Sequence, residues 1–248
     1  MASTAAPKIV LVTGANQGLG LAVIEVAGIR YPDNVYVLCS RDLDKGREAA
    51  AKLQQQGSPT TNTFAAAVRH VDKTYGRLDV LVNNAGMLRG MGMPEDTAPS
   101  TIRSVFTELL DVHITSVAVI TLAFTPLLRK AAAPKVINVT SGLGSITNVL
   151  TPGRKMARAP AYGASKVGMN GLTAHLQVIE NDRADPRIRF FISNPGALKT
   201  ALNGFHPLGK PPQEGAESIV LMIGDDEGDY NDHMQCEFEG GVMRQVPW

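Results

Sequence analysis

Lys8-Ile-Val-Leu-Val-Thr13-Gly14-Ala-Asn-Gln-Gly18-Leu-Gly20 is the stretch from which the fold is read. Lys8–Thr13 is a short, β-branched, apolar run without alternation. That pattern predicts a strand buried on both faces. A glycine-rich turn follows at once. Leu21, Ala22, Ile24, Glu25 and Ala27 then recur with helical spacing to about Arg30. Strand, glycine turn and helix in this order make an anion cradle. Gly14 permits the tight turn, Gly18 lets the backbone approach a pyrophosphate, and Gly20 allows close helix–strand packing. Exposed N–H groups around Asn16, Gln17 and Leu19, together with the helix dipole, then favour a dinucleotide.

Outward from this unit the pattern repeats. Val35–Cys39 reads as a second buried strand. Asp42 reads as the N-cap of a helix running to about Gln56 and ended by Gly57. Helical spacing covers Phe64–Tyr75, Pro99–Lys130 and Tyr162 to about Asn181. Further strands are expected at Leu78–Val82, Val136–Thr140 and Ile188–Ile192. The alternation predicts an α/β fold, a doubly wound, mostly parallel sheet in a single domain over residues 1–248. No linker divides the chain. The least regular stretches, Met87–Ala98 and Ser145–Ala159, follow strand C-termini, where open α/β sheets bind ligands.

Composition narrows the function. The chain has 248 residues, 44% hydrophobic and 19% charged, with formal net charge +1. This excludes wholesale disorder, and it argues against a nucleic-acid or polybasic membrane-surface binder. Cys39 and Cys236 cannot by themselves hold a metal and make no disulfide framework, so a reducing compartment is expected. The first apolar stretch, Ile9–Val12, falls short of the about 7–15 apolar residues of a signal peptide. No run approaches the roughly 20 apolar residues of a membrane span. A cytoplasmic protein is expected.

Four further clusters carry chemistry. Ser40-Arg41 ends the second strand, where an acidic residue would accept from a ribose 2′-OH. Arg41 can instead pair with a 2′-phosphate, which favours NADP over NAD. Asp42 counts against this but already serves as an N-cap. Asn83-Asn84-Ala85-Gly86 offers small residues where the chain would cross beside a cofactor. Tyr162 and Lys166, at i and i+4, share a helix face. An ammonium beside a phenol is expected to lower its pKa and make it a proton donor to a carbonyl oxygen. Ser141, just past a strand, is placed to bond the same oxygen. Pro195-Gly196-Ala-Leu198-Lys-Thr200 could lie along a nicotinamide ring, with backbone and Thr200 bonding its carboxamide.

These motifs, in this order, resemble the short-chain dehydrogenase/reductase family over nearly the whole chain, and most closely its carbonyl-reductase branch. The resemblance implies a Rossmann fold with strand order 3-2-1-4-5-6-7 and hydride transfer between a nicotinamide and a carbonyl or alcohol. It implies Tyr162 as acid/base, Lys166 as ribose ligand and pKa-lowering partner, and Ser141 as the group polarising the carbonyl. An NADPH-dependent reductase of ketones, aldehydes or quinones is expected. The alternative is a weakly active or non-catalytic member that binds a dinucleotide or a partner.

The sequence departs from the family pattern in two places. His113 stands where the family usually has an asparagine. It either hydrogen-bonds in the proton relay or caps a buried helix carbonyl. Only Ser58–Thr63 separates Gly57 from Phe64, so the third strand is shortened or missing. Six residues still span about 20 Å when extended. Arg154, Lys155 and Arg158 either greet an acidic substrate or form a solvated loop. Met87, Met91 and Met93 line an adaptable apolar pocket or a mobile loop. The resemblance implies a homodimer or homotetramer through the long helices near 101–130 and 161–181. The tail Glu237–Trp248 is expected to pack on a neighbouring subunit or to close over the substrate.

Overall fold

The strands at the centre of the sheet are rich in residues that gain by leaving water, and helices cover both faces of that sheet. The computed structural model describes residues 6–54, 64–153, 158–184, 187–230 and 235–248. In chain order the strands are β1 (Ile9–Thr13), β2 (Val35–Cys39), β3 (Val80–Asn83), β4 (Lys135–Val139), β5 (Arg189–Asn194), β6 (Gln235–Glu239) and β7 (Val242–Gln245). They pair in the order β2-β1-β3-β4-β5-β6-β7. All neighbours run parallel except β6 and β7. The helices are α1 (Gly18–Arg30), α2 (Leu43–Gln54), α3 (Phe64–Tyr75), α4 (Pro99–Leu110), α5 (Ser116–Leu128), α6 (Ile146–Leu150), α7 (Pro160–Asn181) and α8 (Pro212–Gly224).

Strand periodicity sorts the core into two layers. Val10 and Val12 of β1 join Val23 and Ile24 of α1 with Ile219 and Val220 of α8. Ile9 and Leu11 point the other way, onto Val71 of α3 and Phe124 and Leu128 of α5. Each such fully buried side chain contributes about 1.5–3 kcal/mol. The doubly wound fold expected from the alternation is therefore what forms.

Some expectations change. Helix α2 is described to Gln54, and its expected end at Gln56 and Gly57 lies outside the described residues. The Ser58–Thr63 gap lies outside the described residues. Among the described residues β2 is the outer strand on that side, so the order reproduces the 2-1-4-5-6-7 part of the expected arrangement. Pro99–Leu128 is continuous helix, interrupted only by a π turn at Asp111–Thr115, and by length and composition it could cross a membrane. This corrects the expectation that no stretch approaches that size. Phe124, Leu127 and Leu128 are nonetheless buried against the sheet, as in a core helix.

The C-terminal part differs most. Helix α8 was not anticipated, although Pro212 at its first turn and the spacing of Ala216, Ile219, Val220 and Ile223 announce it. The tail is folded into the sheet. Its residues from Glu237 onward complete a hairpin through Gly240 and Gly241, both at positive φ (59° and 83°), as a tight hairpin turn demands. Beyond it, the Trp248 carbonyl accepts from the Thr147 amide and ends the chain against α6.

Candidate active site

The first half of the site is backbone. Gly14 sits at φ +62°, and a Cβ there would lie 2.9 Å from the Ala85 Cα. Gly18, at φ +57°, faces Thr200, whose Cβ would be 3.6 Å from an added Cβ. Helix α1 begins at Gly18. Gln17 provides no side-chain cap, and the first turn holds no acidic residue. The helix N-terminus thus keeps its N–H groups and positive dipole end for an anion.

Asn84, not anticipated as a functional residue, ties this loop down. Its Nδ2 donates to the carbonyls of Thr13 (2.8 Å) and Gly14 (3.3 Å). The Thr13 hydroxyl in turn accepts from the amides of Asn84 and Ala85, both at 3.0 Å. Ala85 therefore stands beside the glycine loop, while Gly86 faces the His113 ring. Asn83 does not. Its side chain is buried in the sheet, where Nδ2 donates to Thr121 Oγ1 and Asn138 Oδ1. The strand pleat explains the correction: neighbouring residues point to opposite faces, so only one of the two asparagines can reach the loop.

At the end of β2 the Ser40 hydroxyl is spent on Asp42, donating to its carbonyl and accepting from its amide. Asp42 caps α2 by accepting from the amides of Asp44 and Lys45. Arg41 is exposed. After β5, Gly196 takes φ +75° and its amide donates to Asn194 Oδ1. Pro195 is buried and Gly196 exposed. The Leu198 side chain packs onto Gly215 of α8.

The second half is side chains on α7. Tyr162, Lys166 and Asn170 follow one another at i, i+4 and i+8, all buried. Lys166 Nζ donates to the Val139 carbonyl at 2.8 Å and lies 5.7 Å from the centre of the Tyr162 ring. The Ser141 hydroxyl accepts from the Leu143 amide and lies near enough to the Tyr162 phenol to favour its ionised form. Asn170 Nδ2 donates to the Gly144 carbonyl and to Gln235, while its Oδ1 accepts from Thr140, so it holds the serine loop against α7. Asn170 went unnoticed in the sequence, yet the i+4 step from Lys166 was there to be followed.

The electrostatics correct one expectation. Burial pushes the Tyr162 phenol up to about 12, only partly countered by Ser141. Burial also pulls Lys166 down to about 7. Desolvation therefore decides the phenol's direction, with Ser141 as the opposing group. His113 is buried in the π turn, and burial plus the Lys166 charge lower it to about 3. Around Tyr162 the walls are apolar: Val105, Leu109 and Ala159, with Met87, Met93 and Leu143 packed against them. Met91 is exposed, and so is Arg158, whose carbonyl accepts from the Gly92 amide. Arg154 and Lys155 lie outside the described residues.

A phenol, a hydroxyl and an ammonium converge beside a glycine cradle, an arrangement able to bind a dinucleotide and pass a proton. A family model described as short chain dehydrogenase matches residues 8–207. The chain belongs to that family. It is 61% identical over 264 aligned positions to a short-chain dehydrogenase/reductase of Aspergillus fumigatus, with the whole of both chains covered. A human relative, carbonyl reductase (NADPH) 1, is 28% identical over 86% of this chain and 90% of its own. Among solved structures, a metagenomic short-chain oxidoreductase in complex with NADP superposes with TM-score 0.71 at 25% identity, over 95% of this chain and 98% of the other. A short-chain dehydrogenase of Salmonella enterica gives 0.74 at 21% identity, over 94% and 95%. As a short-chain dehydrogenase/reductase, the protein is an oxidoreductase of small molecules that uses a nicotinamide dinucleotide.

Proposed function

We propose that the protein is an NADPH-dependent reductase that converts a ketone, aldehyde or quinone carbonyl to the alcohol, with the reverse reaction running on the same residues. The observation that carries this is the Tyr162 phenol flanked by Ser141, which lowers its pKa, and by Lys166 beside the same ring. A dinucleotide fits the first half of the site, because a side chain at Gly14 would collide with Ala85 and the N-terminus of α1 carries no competing acid. When bound, NADPH supplies the hydride that reduces the carbonyl carbon.

The chain's residues handle the oxygen. Ser141 and Tyr162 would donate to it together, so its growing negative charge meets two donors already held in a buried site. Tyr162 releases its proton to that oxygen. Lys166, with Nζ oriented by the Val139 carbonyl, stabilises the phenolate left behind when it carries its ammonium charge. Arg41 would pair with the adenosine 2′-phosphate. The NADP-bound neighbour and the name of the human relative support that choice of cofactor.

Exposed Val119 and Leu122 on α5 and Val178 on α7 support a homo-oligomer through these helices. A cytoplasmic location and a single working domain complete the proposal. Calorimetric titration with NADPH and NADH, followed by a panel of ketones, aldehydes and quinones, tests it. Preferential NADPH binding with carbonyl-dependent oxidation of NADPH is expected. Binding without turnover across the panel would favour a non-catalytic binder.

A further inference from the structure

His113 is bonded at both ring nitrogens, and each bond leads to the proposed site. The π turn Asp111–Thr115 adds a residue to the helical winding, a device frequent at functional sites. Within it His113 and Ile114 both reach α7. Ile114 Cδ1 lies where a Cβ on Gly168 would be, 2.4 Å from that position. His113 Nδ1 is 2.8 Å from Ser165 Oγ. Ser165 donates its one hydroxyl proton to the Tyr162 carbonyl at 2.7 Å. The serine must therefore accept from the histidine, which assigns the proton to Nδ1. Nε2 is then a lone pair, and it accepts from the Met87 amide at 3.2 Å.

The ring also stands edge-on to Tyr162, with centroids 5.4 Å apart and planes at 87°. It closes one side of the phenol's surroundings. The other polar groups facing the phenol are Ser141 and Lys166. An ordinary buried histidine would need one partner for each nitrogen and nothing more. Here one arm fixes the residue that carries the phenol, and the other fixes the loop that starts at Ala85 beside the glycine cradle.

We infer that His113 is a positioning residue, held as the Nδ1–H tautomer, which clamps Tyr162 through Ser165 and the Ala85–Leu88 loop through the Met87 amide, and which carries no proton of the reaction itself. The inference rests on Tyr162 being the proton donor. Its two arms can be cut separately. His113→Asn keeps an amide near the Nδ1 position and loses the Met87 arm. His113→Gln reaches the Nε2 position and loses the Ser165 arm. Ser165→Ala cuts the same arm as His113→Gln from the other side.

The expected split is a raised KM with a smaller kcat loss for His113→Asn. A kcat loss of about 10- to 100-fold is expected for His113→Gln and for Ser165→Ala, the scale of a misplaced reacting group. The double variant His113→Gln/Ser165→Ala should lose little more than either single one. A second readout needs no turnover: the ultraviolet titration of Tyr162, taken as wild type minus Tyr162→Phe. In His113→Ala water reaches the ring and the phenol titrates at lower pH. Restoration of His113→Ala turnover by added imidazole would overturn the inference, since it would make the histidine a proton carrier. Equal kcat losses for His113→Asn and His113→Gln, or a phenol titration unmoved in His113→Ala, would overturn it too. A Tyr162→Phe variant as active as wild type would instead refute the reductase reading, while the titration still reports on the clamp.

Discussion

The two halves of the site are built from different materials. Around Gly14, Gly18 and Ala85 the working surface is backbone, and side chains appear mainly as obstacles that glycine avoids. Along α7 the working surface is side chains, buried and pinned by Val139, Ser165 and Gly144. The first half is electrostatically simple: N–H groups and a helix dipole awaiting an anion. The second is costly, because it keeps a phenol, an amine and an imidazole in a poorly solvated region and shifts all three from their ordinary values. Binding and chemistry should therefore separate under mutation, the glycine half governing affinity and the α7 half governing turnover.

The sharpest break in that comparison is at Lys166. Lys166→Met removes the cation beside the phenol, and turnover should fall on the order of 10²-fold or more. Dinucleotide affinity should fall less, by the loss of one ribose contact, which paired calorimetry and kinetics would show. Gly14→Val acts on the other half. A β-branched residue at φ +62° that also meets Ala85 costs about 1–3 kcal/mol of stability. Calorimetry should find dinucleotide binding largely lost, and thermal melting should find a lower Tm. Arg41→Ala should leave stability alone, because the side chain is exposed. Losing one charge-assisted bond to a 2′-phosphate should cut the preference for NADPH over NADH roughly tenfold or more, while NADH binding holds.

The smallest effect is on pH stability. His113 titrates at about 3 in the folded chain, against its ordinary 6.5. The unfolded chain therefore takes up that proton first, and its share of stability is lost as pH falls from about 6.5 towards 3. Lys166 is also depressed, to about 7 from 10.5, so its share rises as pH climbs through that interval. Urea unfolding of wild type and His113→Asn at pH 4 to 8 should show a shallower acid slope in the variant.

The same contrast explains what the sequence disclosed. The glycine half was legible because φ and close approach select one residue type, and its spacing survives in the letters. Tyr162 and Lys166 were legible through i, i+4 spacing. Asn84, Ser165 and Asn170 were not, because their work depends on which strand end or helix they meet in space. The choice between Asn83 and Asn84 turned on where β3 ends, since a one-residue shift exchanges the faces. The phenol's upward shift depended on burial, which adjacency on a helix does not reveal. Helix α8 and the β6–β7 hairpin carried ordinary signals at Pro212 and Gly240-Gly241, but their place in the sheet is set by pairing with β5.

The most direct measurement compares wild type with Tyr162→Phe in two assays on the same preparations, NADPH binding by calorimetry and NADPH oxidation with a responsive carbonyl substrate. The account predicts NADPH affinity within a few-fold of wild type, because the cradle is backbone, and a turnover loss of about 10²- to 10⁴-fold, because the proton donor is gone. Turnover at the wild-type rate without the phenol would contradict it.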